Sequence, residues 1–226
     1  MTRVLVALDV PALEEAESLA RSLGDTVAGF KVGMELLMAS GPAAIEAIAE
    51  IGKPVFVDAK LHDIPNTVGR AATSIKAAGA RWVTVHASGG KEMIAAATTG
   101  MGGQGVLAVT MLTSLSESDL ADIAVGVSPT TYVRELAGLS YRAGAEGIVC
   151  SPREIASVKE AHPRLKVFSP GIRPEGVSSD DQKRVATPER AVSDGADYLV
   201  IGRPITKSDD PVAAARRIVA SLGQAE

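Results

Sequence analysis

Asp58, Lys60 and Asp63 crowd into six residues, Asp58-Ala59-Lys60-Leu61-His62-Asp63, at the end of an apolar run that begins at Pro54. Two earlier apolar runs also end on charge, one at Asp9 and one at Lys31. Side chains two apart on a strand share a face, so Asp58 and Lys60 are expected to point the same way. A lone pair of this kind reads equally well as a structural ion pair. Five charges at the ends of three successive runs are harder to read so, because each desolvated ion is costly unless a network compensates it. A carboxylate beside a lysine stabilises its ammonium form. An imine-forming lysine needs the neutral amine, so the cluster argues against that chemistry. It suits lysines that stay protonated, stabilise developing negative charge and deliver a proton to a carbanion or enolate.

Asp58, His62, Asp63 and His86 include types that bind hard metals, but Lys31 and Lys60 would set two ammonium groups beside the ion. No H-E-x-x-H or Cys/His ligand spacing occurs, so no metal is expected. His62 reads as a group that orients its neighbours, His162 receives no role, and Cys150, on an apolar run, reads as core. A second constellation lies near the C-terminus, in Ser169-Pro170-Gly171-Ile172-Arg173 and Ile201-Gly202-Arg203-Pro204-Ile205. Glycine lets backbone N–H groups approach an anion, and arginine offers a forked donor. Gly-Arg alone reads as a turn with a surface arginine; the two segments together read as a phosphate cradle. The stretch from Ile172 to Gln182 has the composition of a mobile lid, or of a solvated loop without function.

These residues need elements to hold them. Eight apolar, mostly β-branched or aliphatic runs recur along the chain: Val4–Val10, Val27–Val32, Pro54–Lys60, Trp82–His86, Val106–Leu112, Gly147–Cys150, Lys166–Ser169 and Tyr198–Ile201. Between them lie segments with helical spacing, such as Leu13–Leu23, Ala43–Ile51 and Ala213–Leu222. Most of the runs are apolar on both faces, as parallel strands covered by helices must be. Ala78-Gly79-Ala80, Ala143-Gly144-Ala145 and Asp194-Gly195-Ala196 each end a helical stretch shortly before a strand, where glycine supplies the positive φ of a helix stop. The alternation predicts a (β/α)8 TIM barrel, with the charged residues at the C-terminal ends of its strands, where such barrels do chemistry. A doubly wound sheet also alternates, but its first turn is glycine-rich, whereas Leu8-Asp9-Val10-Pro11-Ala12 has no glycine.

The chain has 226 residues, which at about 150 per domain allows one large domain or two small ones. No linker or low-complexity tract divides it, so residues 1–226 are expected to form a single barrel domain. Hydrophobic residues at 46% supply a core and exclude disorder as the main state. A net charge of −4 and an aromatic content of 3% argue against nucleic acid as a partner. No run approaches a membrane span and no targeting segment is visible, so the expectation is a cytoplasmic protein that does not engage a membrane. One cysteine permits no intrachain disulfide, which suits a reducing compartment.

Around Asp58-Ala59-Lys60-Leu61-His62-Asp63-Ile64-Pro65-Asn66-Thr67-Val68 the sequence closely resembles the orotidine 5′-phosphate decarboxylase family. The likeness runs over essentially the whole chain, through Leu8-Asp9, Lys31-Val32-Gly33, Met111-Leu112-Thr113-Ser114, Ser169 to Arg173, Asp181-Gln182 and Val200 to Ile205. A bare D-x-K-x-x-D is shared with sugar-phosphate decarboxylases; the continuation His-Asp-Ile-Pro-Asn-Thr selects the orotidine enzymes. The resemblance implies cofactor-free conversion of orotidine 5′-monophosphate to UMP and CO₂ by a homodimer with its active sites at the interface. By the same resemblance Lys60 protonates C6, Asp58 sits by the substrate carboxylate, and Lys31 and Asp63 complete a charge network, Asp63 coming from the other subunit. Asp9 and Lys31 look like ribose contacts, Thr67 a contact from the partner and Thr113 a pyrimidine contact. Arg173, Gln182, Gly202 and Arg203 look like the phosphate side. Other readings are a metal-dependent sugar-phosphate decarboxylase and a nucleotide-binding barrel without turnover. An epimerase would need a histidine where Lys31 stands.

Overall fold

The computed structural model describes residues 2–174 and 185–223. Strands β1 (Val4–Ala7), β2 (Gly29–Val32), β3 (Val55–Leu61), β4 (Trp82–His86), β5 (Val106–Val109), β6 (Gly147–Val149), β7 (Lys166–Ser169) and β8 (Tyr198–Ile201) form a closed barrel in sequence order. All neighbours are parallel, and β8 returns to β1 with Leu5 opposite Val200. Helices such as Leu13–Leu23, Pro65–Ala77, Gly90–Gly100 and Pro129–Arg142 connect successive strands. This is the (β/α)8 barrel that the alternation predicts. Gly79, Gly144 and Gly195 have φ of 102°, 85° and 107°, the left-handed conformation expected of helix stops. Four strands, β1, β2, β5 and β6, are shorter than their apolar runs, β1 and β5 by three residues each at the C-terminal end. The chain leaves the sheet at Leu8 and Thr110, each keeping one backbone hydrogen bond to the next strand, Leu8 N–H to Lys31 O at 2.9 Å and Thr110 N–H to Val149 O at 3.1 Å.

The two faces of each strand feed different cores. Val4, Val6, Val55, Val57, Val83 and Val85 face the helices and pack with residues such as Ala16, Ala20, Leu23 and Ala72. Leu5, Ala7, Phe56, Trp82, Leu107, Phe168 and Val200 form a separate cluster that fills the barrel. Its centre is aromatic. Phe168 meets Phe56 and Trp82 edge-on, with ring centroids 5.9 and 5.2 Å apart, and stacks on Tyr198 at 4.6 Å. Few aromatics are present, yet they gather where a narrow interior needs large side chains. Among the described residues no helix is long and apolar enough to cross a membrane.

The N-terminal end of the barrel is tied by one carboxylate. Glu146, immediately before β6, accepts both forks of Arg81 at 2.9 Å, the Trp82 indole N–H at 3.2 Å, the Gly105 N–H at 2.9 Å and Lys166 Nζ at 2.9 Å. It therefore joins the starts of β4, β5, β6 and β7. Burial pushes the Glu146 carboxyl up, but hydrogen bonds from Arg81, Lys166 and Trp82 outweigh this and bring it from 4.5 down to about 2. A carboxylate whose pKa falls on folding stabilises the fold fully above its unfolded value and loses that contribution as pH drops through its folded one. Glu146→Gln is expected to lower stability at pH 7 by about 1–3 kcal/mol. Thermal unfolding should show the gap to the unsubstituted protein closing as pH falls from about 4.5 towards 2.

Candidate active site

A cavity of about 550 Å³ opens at the C-terminal mouth of the barrel. Ala7, Phe56, Val109, Val149 and Val200, inward-facing residues of five strands, line its apolar part. Asp9, Lys31, Asp58, Lys60, Thr113, Arg173, Gly202 and Arg203 also line it, so most of the residues singled out by sequence share one space.

The charges of β1, β2 and β3 form a chain of alternating sign. Lys31 Nζ donates to Asp9 Oδ1 at 2.9 Å and lies 3.6 Å from Asp58 Oδ2. Lys60 Nζ donates to that same Asp58 oxygen at 2.7 Å. The Lys31 side chain is 9% exposed and that of Asp58 15%, so these are not solvent-screened surface pairs. Burial pushes the Asp58 carboxyl up, but the ammoniums of Lys31 and Lys60, with hydrogen bonds from Lys60 and Thr84, outweigh it and hold Asp58 below the usual carboxylate range.

Asp58 and Lys60 meet, but not through regular strand alternation. The pairing of β3 with β4 is regular at Phe56–Trp82 and Val57–Val83 and resumes only at Leu61–Val85. Three residues of β3, Asp58 to Lys60, therefore stand against one residue of β4. Lys60 has φ of 48°, a left-handed conformation uncommon outside glycine. A bulge of this kind re-aims side chains, and it occurs where the site needs both ends of the pair.

Arg173, Gly202 and Arg203 follow β7 and β8, with Pro170 and Gly171 beside them on the wall. β3 and β7 are four strands apart in a ring of eight, so Arg173 faces Lys60 across the cavity, with Arg203 one strand further round. Arg173 is 7% exposed, which sets it apart from a surface arginine. Asp63 and Thr67 are exposed and do not line the cavity. Asp63 Oδ1 accepts the Ile64 N–H at 2.6 Å. Gln182, and most of the stretch read as a lid, lie outside the described residues. Cys150 is buried and also reaches the cavity wall. The His62 and His86 rings lie 5.3 Å apart. Burial, then His62 and Lys60, hold His86 below the usual histidine range. His162 stacks on Tyr141 outside the cavity, with ring centroids 5.7 Å apart.

Several lining residues carry no sequence signal, among them Met34, Glu35 and Lys207. Gly33 is different. Its φ and ψ, −86° and 177°, suit any residue, but a Cβ built there would overlap Asp9 Oδ1 and lie 2.7 Å from Lys31 Nζ. The glycine leaves room for the ion pair, and its place two residues after Lys31 could have signalled this.

A closed barrel with a partly buried charge cluster at its C-terminal mouth is the architecture of a (β/α)8-barrel enzyme. The chain belongs to the orotidine 5′-phosphate decarboxylase / HUMPS family, whose profile matches residues 2–218. It is 51% identical over 222 residues to the orotidine 5′-phosphate decarboxylase of Anaeromyxobacter sp. (strain K), covering 97% of this chain and 98% of that one. The solved orotidine 5′-phosphate decarboxylase of Lactobacillus acidophilus superposes with a TM-score of 0.86 at 35% identity, covering 98% of this chain and 99% of that one. The enzyme of that name from Pyrococcus horikoshii OT3 gives 0.82 at 26% identity, with coverage of 97% and 99%.

Gly33→Ala should displace the free ends of two side chains and leave the backbone in place. It is expected to lower catalytic turnover about 10²-fold. The far-ultraviolet circular dichroism spectrum should be unchanged.

Proposed function

We propose that this chain decarboxylates orotidine 5′-monophosphate to UMP and CO₂, completing de novo pyrimidine nucleotide synthesis without a cofactor. The observation that carries the reading is the Asp58 carboxylate held between two ammoniums, 2.7 and 3.6 Å away, across a cavity from two arginines. Arg173, Arg203 and the backbone at Gly202 suit the substrate phosphate, with Gln182 assigned to the same end. Thr113 suits the pyrimidine, and Asp9 with Lys31 the ribose.

In the reaction the bond from C6 to the carboxylate breaks and its electron pair stays on C6. No adjacent group of the ring accepts that pair, so stabilisation falls to a preorganised positive charge. The Lys60 ammonium supplies it, then gives its proton to C6 and recovers one from solvent. Two ammoniums beside Asp58 would repel a metal cation, which supports a metal-free route. Phosphate binding at the far end supplies energy that can be spent on ordering the charged end.

The same reading makes the protein a homodimer with sites at the interface. Asp63 and Thr67 are exposed and away from their own cavity, available to a partner's. Met34 and Met38, on the helix Met34–Ser40 after β2, and Ile64, after β3, add exposed apolar surface. A cytoplasmic setting suits a chain whose single cysteine, Cys150, is buried.

The test follows the ultraviolet change of orotidine 5′-monophosphate with purified protein in EDTA. Turnover is expected, and Lys60→Ala should lower it by roughly 10²–10⁴-fold. A folded protein inert towards this nucleotide, but active on a sugar phosphate with Mg²⁺, would overturn the reading. Mixing Lys60→Ala with Asp63→Asn after unfolding together should recover activity. Each mixed dimer then holds one intact site, up to about one site in four overall. No recovery would place Asp63 in its own chain's site.

A further inference from the structure

Thr84 lies at the centre of β4, wholly buried, at the level where β3 bulges. Its hydroxyl is engaged twice. Lys60 donates its backbone N–H to Thr84 Oγ1 at 2.9 Å, and Thr84 Oγ1 donates to Asp58 Oδ1 at 2.9 Å. Asp58 Oδ2 accepts Lys60 Nζ at 2.7 Å, which closes a circuit through both charged residues. The direction of each bond is fixed by chemistry. An amide N–H can only donate, so Thr84 must accept there, and its single proton is left for the carboxylate. Oδ1 is thereby occupied, and Oδ2 is turned towards Lys60 and Lys31.

The bulge makes this hydroxyl necessary. Three residues of β3 facing one of β4 interrupt the backbone ladder, and the Lys60 amide bonds to a side chain where a regular strand would offer it a carbonyl. Lys60 also has the left-handed φ of 48°, a conformation that costs about 1–2 kcal/mol in a non-glycine residue. Such strain persists only where the surroundings over-determine it.

We propose that Thr84 is a positioning residue for the decarboxylation: one hydroxyl clamps the bulged Lys60 backbone and sets the rotation of the Asp58 carboxylate, which holds the Lys60 ammonium at the reacting carbon. This rests on the decarboxylase reading of the site. Valine has the same shape and suits a strand, but can neither accept nor donate. Serine keeps the hydroxyl and loses only the methyl.

The test compares Thr84→Val, Thr84→Ala and Thr84→Ser with the unsubstituted protein, each checked by thermal unfolding. Alanine leaves space for a water and guards against a valine variant that fails to fold. Thr84→Val and Thr84→Ala are expected to lower kcat for orotidine 5′-monophosphate roughly 10–100-fold with KM nearly unchanged, the pattern of an interaction realised in the transition state. Thr84→Ser should restore most of the rate. Unchanged kcat in the valine variant overturns the proposal. So does a serine variant as slow as alanine, which would make the methyl's packing the role.

A second readout needs no turnover. The Asp58 carboxyl resonance is followed against pH, with Lys31, Lys60 and His86 facing it from β2, β3 and β4 in every variant. Its midpoint should rise in Thr84→Val and stay in Thr84→Ser. A midpoint that does not move in the valine variant overturns the clamp. If the unsubstituted protein leaves the nucleotide unchanged, the decarboxylase reading fails on that result alone, and the Asp58 midpoint still decides whether Thr84 positions the pair.

Discussion

Four charges stand in a row, Asp9, Lys31, Asp58 and Lys60, and the middle two are withdrawn from bulk water, with side chains 9% and 15% exposed. Each alone would be expensive to bury, and each is compensated by a neighbour of opposite sign. The requirement reaches well beyond the four residues. They must come from adjacent strands, since the contacts are only 2.7 to 3.6 Å long. The neighbouring backbone must leave room, as Gly33 does beside the Asp9–Lys31 pair. The strand that contributes two of them must depart from regular geometry, as β3 does opposite Thr84.

The two ends of the barrel treat charge in opposite ways. At the N-terminal end Glu146 accepts from four residues and holds the starts of four strands together, with its donors saturating both oxygens. At the C-terminal end the charges surround a cavity and face it. The first arrangement is spent on the fold itself. The second pairs the ammonium groups with carboxylates and sets them, with two arginines, around a space that an anion could enter. A rigid aromatic layer between them separates the end that stabilises from the end that works.

Most of the architecture was legible from side-chain pattern. The apolar runs at β4, β7 and β8 match the strands residue for residue, and three Gly-Ala helix stops have the backbone that glycine implied. Parallel strands buried on both faces leave a strong mark, because nearly every position is apolar. The charged arc and the two arginine loops were legible for the converse reason: charge at the end of an apolar run has few bland explanations. What escaped were relations between residues that do not show in their types. Asp58 and Lys60 were expected to meet by simple alternation, and they meet through a bulge that no periodicity displays. Thr84 looks like one more β-branched residue in an apolar strand, and its value lies in what the neighbouring strand sets against it. Met34, Glu35 and Lys207 reach the cavity because of where the short helices Met34–Ser40 and Arg203–Thr206 sit after β2 and β8, which local sequence does not encode.

The aromatic filling also decides how the enzyme communicates with solvent. Phe56, Trp82, Phe168 and Tyr198 stop the barrel from below, so the cavity is a cup with a single rim and not a tunnel. Substrate enters and both products leave across that rim. Anything released at the floor of the cup leaves past whatever fills the space above it. Traffic is therefore organised by four rings at the floor of the cavity.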